Sequence, residues 1–420
     1  MAEIEPLRAL RYDPARTGGL QDVVAPPYDV IDDEQRAALE ERSPYNIVRV
    51  DLPRGGEDRY ELAAAEFAGW RSGGVIVQDR SPALWALAQD YTGPDGRHHT
   101  RRGVFAAVRI EDYGAGRVRP HERTHPGPRE DRLRLTRATK ANLSPIFSLF
   151  SDPTGAAWGA IQPTVEGPPW AETTDDDETV NRLWRVGNED VVRSVRDAVR
   201  GTELLIADGH HRYETARVYA EEIGGDGAHR FVLMCLVALE DPGLTVFPTH
   251  RLVRGLSSEQ QVALSQALQR DFELEPLDDP SQLAPPSSDQ IRIGYIDAHF
   301  RKPWSLTLKD PAIADAALAD HAEPYRRLDT AVLEALILKG ALGMTDEDID
   351  HLNGLGYARD FDQALEAVLD AEYDAAFFMA PTPVERVQAV AAAGESMPPK
   401  STYFFPKILT GLLFNPLMDG

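Results

Sequence analysis

The chain has 420 residues, 42% of them hydrophobic, and a formal charge of −24. That length exceeds what one core usually supports and implies two or three domains. The acidic balance argues against a basic nucleic-acid groove as a global property and leaves room only for a local basic pocket. The single cysteine, Cys235 in FVLMCLVAL, excludes an intrachain disulfide and reads as packed core rather than as a nucleophile. The opening MAEIEPLRALRYD lacks the apolar centre of a signal peptide. No apolar run approaches the ~20 residues of a membrane span. The expectation is a cytoplasmic protein with no membrane partner.

In chain order, LQDVVAPPYDVI (20–31) predicts a strand and then a Pro-rich turn, Pro26 and Pro27 stiffening the backbone ahead of Tyr28 and Asp29. DDEQRAALEERSP predicts a helix with acids in its first turn. NIVRVDL is strand-like, and RYELAAAEFAGWRSGG predicts a helix ended by glycines. ALWALAQDY and RRGVFAAVRIEDY alternate well enough to pair as strands around a PDG turn. Residues 117–150 are locally basic; they begin with His121, Glu122, Arg123, Thr124 and His125 and continue as a helix. Residues 153–185, rich in Pro, Gly, Thr and Asp, predict a surface connection. NEDVVRSVRDAVRG is a short amphipathic helix, TELLIADG a strand, HHRYETARVYAEEIGG a helix and RFVLMCLVALED a buried strand. LTVFPTHRLVRG then leads into a turn. From about residue 257 helices dominate, with RIGYIDA and RKPWSLTLK as strands between them. The last stretch, MPPKSTYFFPKILTGLLFNPL, is apolar and aromatic and holds Lys400 and Lys407.

The stretch that carries chemistry is LLIADGHHRYETA, 204–216. A strand that turns at Asp-Gly straight into a helix leaves free backbone N–H groups at the turn, and the helix dipole adds partial positive charge. Gly209 lets a ligand approach the backbone. His210, His211 and Arg212 crowd donors around the same end, and Arg212 suits a bidentate grip on phosphate. Asp208 suits a magnesium ion or the fixing of a histidine tautomer. The bland alternative is an Asp208 N-cap with solvated histidines. Zinc is disfavoured: His210 and His211 are adjacent and diverge, and Pro120 and Pro126 break any helix through His121 and His125. No Walker loop or strand-linked GxGxxG run is present.

ADGHHRYETA resembles the signature of a bacterial family catalogued as domain of unknown function 1015. VVAPPYDVI, RPHERT with EDRLRLTRAT and LSPIF, FPTHRLV (247–253) and MPPKSTYFFPK also look like that family and follow in the same order, so the resemblance spans nearly the whole chain. DGHHR is similar, too, to the phosphate-binding turn of the ParB/sulfiredoxin-like fold and to a motif of archaeal free-serine kinases of that fold. Those kinases take their catalytic base from an upstream PHE segment, here Pro120-His121-Glu122, which lies farther from Asp208 than in the kinases and requires an insertion.

The fold thus expected is mixed α/β (α+β). A ParB/sulfiredoxin-like nucleotide-binding core at 117–255 stands between an N-terminal α/β part, 1–116, and a helix-rich C-terminal α/β part, 256–420. The resemblance implies a kinase that moves a phosphoryl group from ATP (or ADP), with Mg2+, to the hydroxyl of free L-serine, giving O-phosphoserine. Gly209, His210, His211 and Arg212, with His121 and Thr124, would bind the nucleotide. Glu122 would accept the hydroxyl proton, with Asp208 and His210 beside it in catalysis and Asp208 positioning magnesium or the acceptor. Tyr28, Asp29, His250, Arg251, Lys400 and Ser401 would contact the amino acid. The sequence names no metal ligands. The main alternative is a ParB-like nucleotide-binding regulatory or DNA-associated protein without kinase activity, against which the charge and the lack of a helix-turn-helix pattern weigh. A sulfiredoxin-like role would need a reactive cysteine, which Cys235 in mid-strand does not offer; a non-catalytic ligand-binding scaffold is the third class.

Overall fold

Contacts divide the chain into a first unit, Met1–Pro120 with Thr124–Thr245 and Pro406–Gly420, and a second, His121–Arg123 with Val246–Phe405. The structure, a computed structural model, describes residues 2–93, 96–115, 117–122 and 126–418, with the side chains of 126–128 left out. The fold is mixed α/β.

The first unit is built on a nine-stranded mixed sheet. Its strands are β1 (Ile4–Glu5), β2 (Leu84–Thr92), β3 (His98–Arg109), β4 (Val118–Arg119), β5 (Ile146–Phe150), β6 (Ala171–Thr174), β7 (Val180–Val186), β8 (Leu204–Asp208) and β9 (Phe231–Ala238). They lie in the order β4-β8-β5-β9-β3-β2-β7-β6, with β1 also on β3. β8 runs parallel to β4 and antiparallel to β5, while β9 runs parallel to β5 and antiparallel to β3. The break expected near residue 116 therefore falls inside one sheet, because β2 and β3 pair with strands from beyond it.

The central strands are buried on both faces, which is why their sequences read as near-continuous apolar runs. On one face Ala86, Val104, Ile146 and Met234 pack with Ile161 of α4 (Ala156–Val165) and with Val195 and Val199 of α5 (Glu189–Val199). The longer helices before these are α1 (Asp33–Arg42), α2 (Arg59–Ser72) and α3 (Pro126–Thr139); α3 opens at a proline, whose missing N–H costs nothing in a first turn. α6 (His210–Ile223) follows β8 directly. The C-terminal stretch returns to this unit as a strap, pairing Thr410 with Ala25, Phe414 with Leu10, and Asn415–Pro416 with Ala141–Asn142.

Two local expectations fail for physical reasons. NIVRVDL forms a helical turn at Val48–Asp51, not a strand. Asn46 fixes the turn just before it, its Oδ1 accepting from the Val48 amide at 3.0 Å and its Nδ2 donating to the Asp22 and Val24 carbonyls. The 153–185 stretch contains α4, β6 and β7 rather than a plain connection. Pro163 sits inside α4, and the TTDDDET run is the β6–β7 turn, with the Asp175 carboxylate accepting from the Asp177 and Thr179 amides.

The second unit has an all-antiparallel sheet of six strands: β10 (His250–Val253), β11 (Phe272–Pro276), β12 (Arg292–Asp297), β13 (Trp304–Leu308), β14 (Leu355–Ala358) and β15 (Ala375–Phe378). The order is β11-β13-β12-β15-β10-β14. Leu252, Ile296, Ala376 and Phe378 pack against Ala364 and Val368 of α8 (Phe361–Leu369); α7 (Ser258–Asp271) comes earlier, with shorter helices between the two. The region is helix-rich, as expected, with its helices arranged around this sheet. RIGYIDA and WSLTL are its legible strands, as β12 and β13.

Candidate functional site

The first unit ends β8 with a bulge. Leu205 and Ile206 face Leu149 and Ser148, but the next paired residue is Asp208, opposite Phe147, leaving Ala207 extra. A bulge re-aims the side chain that follows it, and here that side chain is Asp208. Gly209 then turns the chain with φ +96°, and a Cβ on it would lie 2.9 Å from Arg212 Nε. Only glycine meets both conditions. α6 begins at the next residue, and its N-cap glycine has no side chain to offer the first turn, the kind of helix mouth at which anions are commonly held.

Both Asp208 oxygens are engaged by cations: Lys407 Nζ donates to Oδ1 and Arg212 Nη2 to Oδ2. Burial alone would raise this carboxyl, but Lys407 and then Arg212 hold it well below the usual carboxylate range. Arg212 Nη1 also donates to Ser144 Oγ at 2.9 Å and to the Pro145 carbonyl. Its Nε is buried without a hydrogen-bond partner among the described residues, on a side chain only 9% exposed. A buried guanidinium N–H left open is costly unless a ligand fills it.

Beside Arg212 a cavity of about 40 Å3 is lined in part by Tyr28, Asp51, Arg132, Ser144 and Thr215. It has room for roughly three water molecules, which suits a small polar head rather than a nucleoside. Tyr28 begins the one-turn helix Tyr28–Val30, and the Arg132 guanidinium carbon sits 4.2 Å from its ring centre. Asp29 is exposed. Arg132 is held by the Asp51 carbonyl at 2.6 Å and by Asp131 Oδ2 at 2.9 Å. Burial pushes the Asp51 carboxyl up, against the pull of Arg132 and Arg212.

His210 is buried and His211 half-buried at the first turn of α6. Thr124 lies outside the described residues. The other expected residues belong to the second unit, where three sequence motifs meet. His121 is buried, with Nε2 2.8 Å from Thr402 Oγ1, and its carbonyl accepts from the Met397 amide at 2.6 Å. Glu122, 27% exposed, bridges to Met397. Arg251 is buried, donates to the Thr249 carbonyl and to the Pro399 carbonyl at 3.2 Å, and feels the charge of Glu122. Ser401 is buried between Thr330 Oγ1 and the Pro398 carbonyl, while Lys400 is exposed in a left-handed conformation. His250 has the geometry of a core histidine. It is 1% exposed, its ring lies 4.9 Å from that of Phe378, and Nδ1 accepts from the Met379 amide. Burial lowers its pKa to about 4.

Sequence reasoning noticed Lys407 without giving it a role, and it missed Arg101. Arg101 is 1% exposed on β3, where Gln89 Oε1 and the Pro406 carbonyl accept its N–H groups and Phe147 lies beneath it at 4.4 Å. Burial lowers its pKa to about 10, and Nη1 has no partner among the described residues. The available signal was a charged residue inside an apolar run: Lys407 in YFFPKILTGLLF and Arg101 at the head of RRGVFAAV. Among the described residues no group of three or more His, Cys, Asp or Glu is arranged to hold a metal.

Among solved structures, the chain is similar to a conserved hypothetical protein from Pyrococcus furiosus (15% identity, 69% of this chain and 88% of that one, TM-score 0.35). It is similar also to a free serine kinase variant in complex with ADP (12%, 72% and 89%, TM-score 0.39) and to C-terminally truncated SbnI from Staphylococcus aureus (10%, 73% and 85%, TM-score 0.37). No curated protein matches the chain. Residues 4–331 match the family described as Protein of unknown function (DUF1015), and the chain belongs to that family.

Proposed function

We propose that this protein is an ATP-dependent phosphotransferase with an alcohol acceptor, and that the acceptor is free L-serine. The observation that carries the phosphate half is the mouth of α6: a glycine at φ +96° between strand and helix, flanked by Arg212 with a buried Nε that has no partner among the described residues. Such a mouth binds a polyphosphate through oriented donors. Gly209, His210, His211 and Arg212 then hold the nucleotide's phosphates. Asp208 orders the cations around them. Bound Mg2+ would supply charge neutralisation for the transfer.

In the transfer, the serine oxygen forms a bond to the γ-phosphorus while the bond from that phosphorus to the bridging oxygen of ADP breaks. The hydroxyl proton passes to the Glu122 carboxylate, a role supported by the likeness of Pro120-His121-Glu122 to the serine-kinase PHE segment. Tyr28, which lines the small cavity, and its chain neighbour Asp29 are the acceptor contacts we favour, with Arg251, Lys400 and Ser401 as further candidates. Incubation with ATP, Mg2+ and L-serine should yield equal amounts of ADP and O-phosphoserine. Glu122→Gln should lower kcat at least 100-fold and leave the Kd for ADP within about threefold. ADP release without O-phosphoserine, or a Glu122→Gln variant at full rate, would remove the acceptor or the base from this reading.

A further inference from the structure

Lys407 reaches the phosphate site from nearly two hundred residues away, and the chain that brings it is firmly held. The carbonyls of Pro406 and Lys407 accept from Arg101 Nη2 and from Gln89 Nε2, the latter at 3.1 Å. Gln89 Nε2 also donates to Asn181 Oδ1 at 2.8 Å, and Gln89 Oε1 accepts from Arg101 Nε at 3.1 Å. A buried polar row across β7, β2 and β3 thus fixes the peptide that carries Lys407. Three residues on, Thr410 Oγ1 donates to the same Ser144 hydroxyl that accepts from Arg212. The strap therefore fastens both cations of the Lys407–Asp208–Arg212 triad.

Asp208 accepts from both Lys407 and Arg212, and two guanidinium N–H groups beside this triad, Arg212 Nε and Arg101 Nη1, are buried without a partner among the described residues. Burying a lysine at 13% exposure is expensive, and a buried ion pair is weak evidence for a purely stabilising role. Asp208 lies two residues before the first amides of α6, so an anion entering that mouth meets the ammonium group as well.

We propose that Lys407 is a phosphate-binding residue, delivered by the C-terminal strap and held ready by Asp208, for the terminal phosphates of a polyphosphate ligand. The proposal rests on the phosphate reading of the α6 mouth and does not depend on which acceptor, if any, is phosphorylated.

The test is calorimetric titration of the full chain with sodium tripolyphosphate in metal-free buffer, with ADP as a second probe. Lys407→Ala and Lys407→Gln should weaken tripolyphosphate at least tenfold, while Lys407→Arg, which keeps the charge, should stay within about threefold of the parent. Lys407→Gln retains a donor towards Asp208, so it decides the matter if Lys407→Ala fails to fold. A Lys407→Gln variant that melts cooperatively and binds tripolyphosphate as tightly as the parent overturns the proposal. The two readings part cleanly. Charge-dependent binding without O-phosphoserine formation sinks the serine kinase and leaves Lys407 standing; turnover at the parental rate and KM in Lys407→Gln does the reverse.

Discussion

Gly209 concentrates the physics of the site in one residue. Its φ of +96° would cost an L-residue about 1–2 kcal/mol, and a Cβ there would also press on Arg212. Gly224, at the far end of the same helix, provides the control, because its backbone (φ +69°, ψ 174°) demands glycine at least as strongly while the space a Cβ would enter is open to 4 Å. Gly209→Ala and Gly224→Ala should therefore both lower the melting temperature by several degrees. Only Gly209→Ala should weaken ADP, by tenfold or more, because only there must the guanidinium move. Equal ADP affinity in both variants would show that the Gly209–Arg212 contact is not part of a binding site. This much was legible in the sequence: an acid and a glycine between an apolar strand and a helix prescribe the turn. The ion pairs around it were not, because Lys407 and Ser144 reach Asp208 and Arg212 across long stretches of chain that no local pattern encodes.

At the scale of elements, β8 and α6 were readable because one strand-to-helix turn contains both, whereas the bulge at Ala207 depends on the register with β5 and leaves no mark in LLIAD. The sheet of the second unit was only half readable. β12 and β13 alternate visibly, but β10 and β14 are four-residue strands that acquire identity only by pairing with each other and, for β10, with β15. His250 on β10 illustrates the consequence. As a sequence neighbour of Arg251 it invited a substrate role; as a β10 side chain it is sealed against Phe378 and neutral. Its pKa of about 4 in the fold lies below the ordinary ~6.5 of an unfolded chain. The unfolded state therefore binds the extra proton as pH falls below 6.5, and stability is lost progressively between pH 6.5 and 4. The full effect is about 3 kcal/mol, since each pKa unit is worth about 1.4 kcal/mol. Nearby Arg251 and Asp360 act on the same ring in opposite directions. Urea melts at pH 7 and 4.5 should show this loss in the parent, and His250→Asn, which does not titrate, should lose markedly less. An identical pH dependence in the two proteins would assign the acid sensitivity elsewhere.

The whole molecule sets a strongly negative field, −24, around a small buried group of cations, and these two scales of charge make opposite demands on a ligand. Extended polyanions must cross the field over their full length, while a nucleotide needs to bring only its phosphate tail to the α6 mouth. The mouth itself is nearly dry: Lys407, Asp208 and Arg212 are 13%, 11% and 9% exposed. Salt screens such buried pairs weakly, and it screens the long-range repulsion first. Raising the salt from about 50 to 200 mM should thus leave the Kd for ADP within about twofold of its starting value. Duplex DNA should show no retention at either concentration. A protein that binds DNA through six to ten phosphates would instead lose about 10³–10⁵ in affinity over that range. Fluorescence anisotropy with a labelled duplex beside calorimetry with ADP reads both quantities on one sample. DNA retention that collapses with salt would transfer the nucleotide-like mouth to the ParB-type regulatory class, with its charge balance serving a switch on nucleic acid rather than a transfer reaction.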